Sequence, residues 1–351
     1  MKRIAVMLLL FACVLSACGS DVSASPEVLR DTDFGVSYVR HSGSVCVTGA
    51  ATRYHGRSYS ADLDELPDML ENTTLGAPES VTVYASSISE AEEKIAEALE
   101  YVPDTISVRF SGVSSAAIDA FVEHYDRWHQ SENLDLFIRQ IQTEDLDPLS
   151  ATRRGNTVDI HLVYSEGWLS YVASTGRVKV FEDDDYVDRL REFLEDNVDP
   201  IKELNLTEAE TVAAVSGMLR DVTDYDYDVG TYEHGSDDFI RAHSIYGALC
   251  GSVVCDGYSF TIDYILDYLG MYSVTVYSYD HAWNKVRIDG DWYNLDMASI
   301  DADYWLPQNH FLVSDNLSDD VHMFLSWVDR LIPSPESHPD RFELCQSYIL
   351  Q

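Results

Sequence analysis

The chain has 351 residues, enough for two ordinary domains with cores of their own. It carries 23 Lys and Arg against 61 Asp and Glu, a formal net charge of −38. No basic face is left for a phosphate backbone or an anionic lipid surface, so nucleic acid is excluded as a partner; solubility outside a cell and a cationic partner are both consistent with such acidity.

At the start, Lys2 and Arg3 precede the apolar run IAVMLLLFACVL. The run is too short to span a bilayer and reads as a secretory signal. It ends in LSAC, with Cys18 behind Ser16 and Ala17, and resembles the lipobox of bacterial lipoproteins. An ordinary signal cut nearby is the alternative. The resemblance implies cleavage before Cys18, acylation of that residue, and an anchor at the extracellular face of the membrane. Residues 1–17 are then the signal peptide and 18–35 a small, polar tether. Cys13 leaves with the signal, and the mature chain keeps Cys18, Cys46, Cys250, Cys255 and Cys345. No other segment approaches the length of a membrane span.

Residues 36–150 read as a small α/β domain. ESVTVYA alternates like a strand, and SISEAEEKIAEALEYV follows as a helix with Ile95, Ala98, Leu99 and Val102 on one stripe and Ser89 near its start. DTISVRFSG is a second strand and SAAIDAFVEHYDRWH a second amphipathic helix. This stretch has no glycine-rich loop and no metal spacing, which makes it a scaffold or recognition module. The polar run QTEDLDPLSATRRGNT is the expected boundary. A second domain is expected over 155–335, and 336–351 as a C-terminal tail.

Beyond the break, TVDIHLVYS reads as a strand, and DYVDRLREFLEDNV places Val187, Leu190 and Leu194 on one helical face. LTEAETVAAVSGMLRDV is a clearer helix. Thr207 and Glu210 make a capping box, and Val212, Val215, Leu219 and Val222 a buried stripe. In TDYDYDVG, Asp224, Asp226 and Asp228 alternate as calcium ligands do, but Val229 stands where the loop needs glycine and no glutamate closes it. A solvated acidic turn is expected there.

DGYSFTIDYILDYLG is a helix with Tyr258, Ile262, Ile265, Leu266 and Leu269 inward and Gly270 as its stop. Cys255 thus falls at a helix N-terminus, where the partial positive charge favours a thiolate. A strand YSVTVYSY follows, then HAWNKVRIDGDWYNLD, in which Asp289-Gly290 signals a tight hairpin. A two-residue loop sets Ile288 opposite Asp291 and Asp296 opposite Trp283, one diagonal step from His281. Such neighbours have Cα atoms about 7–8 Å apart, within reach of an imidazole–carboxylate hydrogen bond. Val286, Ile288, Tyr293, Leu295 and Met297 form the buried face and leave His281 and Asp296 on the other side; a one-residue slip separates the pair. A cysteine at a helix start, with a histidine held by an aspartate, is the arrangement of cysteine acyl-transfer enzymes. The imidazole moves the thiol proton, the carboxylate orients the ring, and helix-start N–H groups can bind an oxyanion.

HSIYGALCGSVVCDGYSF, HAWNKVRIDGDWYNLD and NHFLVSD resemble successive motifs of the transglutaminase-like superfamily, in its bacterial branch. The resemblance covers roughly residues 200–325, and LTEAETVAAVSGMLRDVTDYDYD is similar to the segment that precedes the cysteine motif there. It implies an α+β fold, a papain-like transglutaminase core preceded by the small α/β domain. It implies Cys255 as nucleophile, His281 as general base and Asp296 as orienting acid, with no cofactor and no metal. His322 falls where many relatives carry a histidine and is assigned no role. The chain departs from the pattern after Asp296, where Ala298 and Ser299 stand in place of threonine and tryptophan.

Other readings of the same residues are a Cys250–Cys255 disulfide, a Cys46–Cys345 disulfide, and a zinc site from Cys250, Cys255 and His281. His243 reads as a partly exposed side chain, Asn284 as a core residue bonding backbone, and Trp283 and Trp292 as groove lining or as filling. The function expected is a membrane-tethered extracellular cysteine enzyme acting on amide bonds of protein or peptide substrates, cell-wall peptide among them. Hydrolysis is favoured. A cross-linking transglutaminase and a catalytically inactive binding module of the envelope are the alternatives.

Overall fold

A computed structural model of the chain describes residues 53–54, 59–71, 75–126, 149–278, 281–302, 306–315 and 332–350. It also describes three short strands ahead of them. β1 (Val28–Leu29), β2 (Tyr38–His41) and β3 (Ser44–Val47) pair antiparallel in that order. The signal, Cys18, the side chain of Cys46, and His322 lie outside the described residues.

Alternating apolar residues build the next sheet, whose strands β4 (Ser60–Asp62), β5 (Ser80–Ala85), β6 (Thr105–Phe110), β7 (Leu149–Arg154) and β8 (Thr157–Leu162) lie in the order β4-β5-β6-β8-β7. β4, β5 and β6 run parallel, and β8 joins β6 antiparallel. Helices α1 (Leu66–Leu70), α2 (Ile88–Leu99) and α3 (Ser115–Asp126) fall between the strands. Val81, Val83, Ile106, Val108, Val158 and Ile160 are buried, in one core with Ile95, Leu99, Ile118 and Phe121 of the helices. The cap of α2 is Ser87, which accepts from Glu90 N, rather than Ser89 inside the helix. The segment TVDIHLVYS, expected to open a second domain, is β8 of this first sheet, because its alternating Val158 and Ile160 complete the same buried face. The polar run before it contains β7, an edge strand, where charged residues are the ordinary choice.

The rest of the chain adds α4 (Glu166–Thr175), α5 (Asp184–Phe193), α6 (Asp199–Lys202), α7 (Glu208–Val222), α8 (Asp237–Ala242), α9 (Ile245–Leu249) and α10 (Cys255–Tyr268). Short strands β9 (Asp224–Tyr225) and β10 (Ser252–Val253) pair parallel, and β10 leads directly into α10. An antiparallel sheet follows, β11 (Ser273–Tyr277), β12 (Ala282–Ile288), β13 (Asp291–Leu295) and β14 (Phe311–Val313), with α11 (Met297–Ala302) between its last two strands. The described fold is thus α+β. The capping box on α7 is complete, with Thr207 N donating to Glu210 and Glu210 N to Thr207. Val222 is the exception to the expected stripe at 38% exposed, because the helix ends there and the chain turns into β9.

The C-terminal residues pack as structure. α12 (Phe342–Leu344) continues as a wide turn through Ile349, and both Cys345 and Ile349 are buried. Arg220 of α7 donates to the Ile349 carbonyl at 2.7 Å, and a Cβ on Gly217 would lie 1.9 Å from the Tyr348 carbonyl oxygen. Gly217→Ala is therefore expected to lower stability by about 1–3 kcal/mol, the usual cost of overpacking. Faster amide exchange over 342–350 on the intact chain would locate the loss at that contact, and unchanged exchange there would refute it.

Candidate active site

The hairpin sets the geometry. Asp289 and Gly290 have φ of 53° and 95°, both left-handed as a tight turn requires. Ile288 pairs with Asp291 and Asn284 with Leu295, so the next step brings Asp296 opposite Trp283. His281 Nε2 donates to Asp296 Oδ2 at 2.9 Å. Both side chains are buried, the residues 9% and 2% exposed. The other oxygen, Oδ1, accepts from Ser299 N at 3.1 Å, and the Asp296 carbonyl from Ile300 N. Asp296 therefore caps α11 while it holds the imidazole. The two residues that depart from the family pattern lie in that first turn, where Ser299 contributes its backbone N–H and Ala298 is buried.

Cys255 is the first residue of α10 and is half-buried. The N-cap residue is Val254, which has no side-chain oxygen to place over the first-turn N–H groups. α10 ends at Gly270, with φ of 74°, and the chain doubles back at once into β11. The helix packs against both β11 and β12.

Side chains fix this placement. The Asp263 carboxylate accepts from Ser273 Oγ, Thr275 N, Thr275 Oγ1 and Asn284 Nδ2, all within 2.9 Å. Asn284 also donates to the Ser259 carbonyl, and Ser259 Oγ to the Cys255 carbonyl. One turn of the Cys255 helix is thereby bonded to the strand that follows His281. Tyr258 of the same turn donates to Asp301 of α11, whose cap is Asp296. Burial pushes Asp263 up to about 6 despite its four donors, and burial likewise raises Asp301.

The face that carries His281 is buried at Trp283, Trp292 and Asp296. The burial of Trp283 and Trp292 fits the reading of them as filling. The Trp283 ring stacks 5.9 Å from the His281 ring and donates to Asn294 Oδ1. Two residues on, fully buried Lys285 donates to Asp315 Oδ1, the Ile332 carbonyl and Ser334 Oγ. Asp315 also accepts from Asn294 and from Ser334 N. Burial alone would raise the Asp315 carboxyl; Lys285 and these donors outweigh it and hold it low. The segment at 332–334 is thus clamped over the sheet, far from Lys285 in sequence and invisible to strand alternation. Lys285→Met is expected to cost about 3–5 kcal/mol, because it strands a partly buried carboxylate. Adding Asp315→Leu should recover much of that loss in denaturant melts; a fully additive second loss would rule out the clamp.

A second couple was not foreseen. His243 Nδ1 lies 2.9 Å from both oxygens of Asp256, the residue after Cys255. His243 is partly exposed, as the sequence reading has it, and is also engaged with a buried carboxylate. Its only sequence signal is the acid at the second position of the cysteine helix. Asp226 also turns inward, accepting from Tyr232 Oη and Asp228 N, so the acidic run is not a fully solvated turn. Cys250, Cys255 and Cys345 are all free thiols, which removes the Cys250–Cys255 bridge; between those two the chain runs extended through β10. Among the described residues no three His, Cys, Asp or Glu side chains gather to hold a metal, neither the Asp224 run nor the Cys250, Cys255 and His281 set. No described helix is long and apolar enough to cross a membrane.

No protein-family model matches the chain, and no curated protein matches it. Among solved structures, one described as a TGase aligns with 55% of this chain at 14% identity and a TM-score of 0.29, a likeness too slight to carry an argument. The alignment spans half of that protein's length.

Proposed function

We propose that the chain is a cysteine acyl-transfer enzyme with a papain-like, transglutaminase-like core. Cys255 is its nucleophile, His281 its general base and Asp296 the acid that orients the base. The observation that supports this reading most is the His281–Asp296 bond at 2.9 Å, next to the strand whose Asn284 is bonded to the Cys255 helix. With Asp296 on Nε2, Nδ1 is the nitrogen that exchanges a proton with a thiol. The thiolate attacks an amide carbonyl, helix-start N–H groups stabilise the oxyanion, and the protonated imidazole gives its proton to the leaving amine. Water activated by His281 then adds to the thioester, and the thiolate leaves. Hydrolysis is the favoured outcome because water is abundant, and an amine in its place gives cross-linking.

The substrate class in this reading is a protein or peptide, cell-wall peptide included. Acylated Cys18, behind a cleaved signal, holds the enzyme at the extracellular face of a membrane. A thiol-directed electrophile tests the nucleophile, with uptake read on the peptide that contains position 255. Wild type should label there far faster than at exposed Cys250, and His281→Ala should slow it. Equal labelling at the two thiols at every pH would end the enzymatic reading and leave a binding module.

A further inference from the structure

A buried anion immediately after a nucleophilic cysteine is a puzzle. A carboxylate within a few ångströms disfavours a thiolate and an oxyanion alike. Asp256 directly follows Cys255 in the chain, and it is 4% exposed. Its Oδ1 takes the N–H of Gly257, and both oxygens lie 2.9 Å from Nδ1 of His243. His243 follows α8 as its C-cap residue. One residue earlier, the Ala242 carbonyl accepts from Val254 N at 2.9 Å. The end of α8 therefore grips the chain on both sides of Cys255, at 254 by backbone and at 256 by side chain. The fit is close, since a Cβ on Gly257 would lie 2.8 Å from the Ala242 carbonyl oxygen and 2.9 Å from Val253.

We propose that His243 is a positioning residue for Cys255, which turns the Asp256 carboxylate away from the sulfur and, when protonated, screens its charge. This rests on the reading of Cys255 as nucleophile. The Phe239 ring is centred 4.3 Å from the imidazole, and Asp256 holds its Nδ1. Its Nε2 is buried without a partner among the described residues. Arg241 pairs with Asp238 on the same helix, Asp226 with Tyr232 and the Asp228 N–H, and the His234 ring packs on Phe239. Asp237 and Glu233 are the other ionisable groups in and just before α8. Asp256 is then the carboxylate whose field on Cys255 rises and falls with the charge of His243.

The test is the rate of iodoacetamide alkylation at Cys255, read by peptide mass spectrometry on the full chain from about pH 5 to about pH 9, where histidine and thiol titrate. His243→Asn keeps an N–H donor for Asp256 but never carries charge. It should react about tenfold more slowly than wild type near pH 6, the effect of roughly one unit in thiol pKa, and converge with it near pH 9. Adding Asp256→Asn should restore the wild-type rate at the lower pH, because the anion being screened is gone. A purely structural role predicts no such rescue. Superimposable wild-type and His243→Asn profiles, or a double variant no faster than His243→Asn, would overturn the proposal. A wild-type Cys255 no more reactive than Cys250 would instead overturn the nucleophile reading beneath it.

Discussion

Asp296→Asn is expected to slow alkylation of Cys255, and hydrolysis of an activated ester, by about 10²–10⁴-fold while leaving stability within roughly 1 kcal/mol of wild type. The two oxygens of Asp296 have separate jobs. Oδ1 caps α11 through Ser299 N, and Oδ2 holds His281 Nε2. Asparagine caps a helix nearly as well as aspartate, so the amide oxygen keeps the Ser299 bond and the amide nitrogen faces the imidazole. Nε2 must then accept, which moves the ring proton to Nδ1, the nitrogen that has to receive the thiol proton. The ring stays in place with the wrong tautomer. Asp296→Ala separates the effects from the other side, losing the cap as well, for about 1 kcal/mol more in a denaturant melt. Asparagine within threefold of wild type in both rates would remove Asp296 from the mechanism.

The hairpin was legible because every local signal agreed. Asp289-Gly290 fixes the turn, the turn fixes the register, and the register carries Asp296 to the neighbourhood of His281. Thr207 and Glu210 were legible for the same reason, since a capping box lies within four residues. What escaped depends on chain segments far apart in sequence. β8 looks like the start of something new because its partner β6 lies behind a helix and a polar run. Lys285 alternates onto the solvent side of a lone hairpin, and the clamp at 332–334 with Asp315 makes it interior. His243 and Asp256 show nothing of their pairing beyond the acid after Cys255, being joined by the packing of α8 on the cysteine helix. Asp263 sits among the inward residues of an amphipathic helix and reads as one polar interruption, although it binds that helix to two strands.

Asp263→Ala is the substitution with the largest expected cost to stability, about 3–5 kcal/mol at mildly acid pH. It removes one carboxylate and leaves Ser273 Oγ, Thr275 N, Thr275 Oγ1 and the Asn284 amide without their acceptor in the interior. The cost should depend on pH with a definite sign. Burial raises this carboxyl from 3.8 to about 6, so the folded state binds its proton more tightly than the unfolded chain does. That preference stabilises the fold fully below about pH 4 and is lost as pH rises through about 6, a change on the order of 3 kcal/mol. Other carboxylates titrate in the same range, so the measured quantity is the difference between wild type and Asp263→Ala, which should shrink from about pH 4 to about pH 8. A difference that grows over that range would mean that the four donors outweigh burial and that Asp263 is held ionised. The same variant tests the site. Asn284 and Ser259 connect Asp263 to the backbone of Cys255, so loosening this junction should slow Cys255 alkylation even where the protein remains folded. An unchanged rate in the folded variant would mean that α10 is held at its N-terminal end alone, by Tyr258 on Asp301 and by Asp256 on His243.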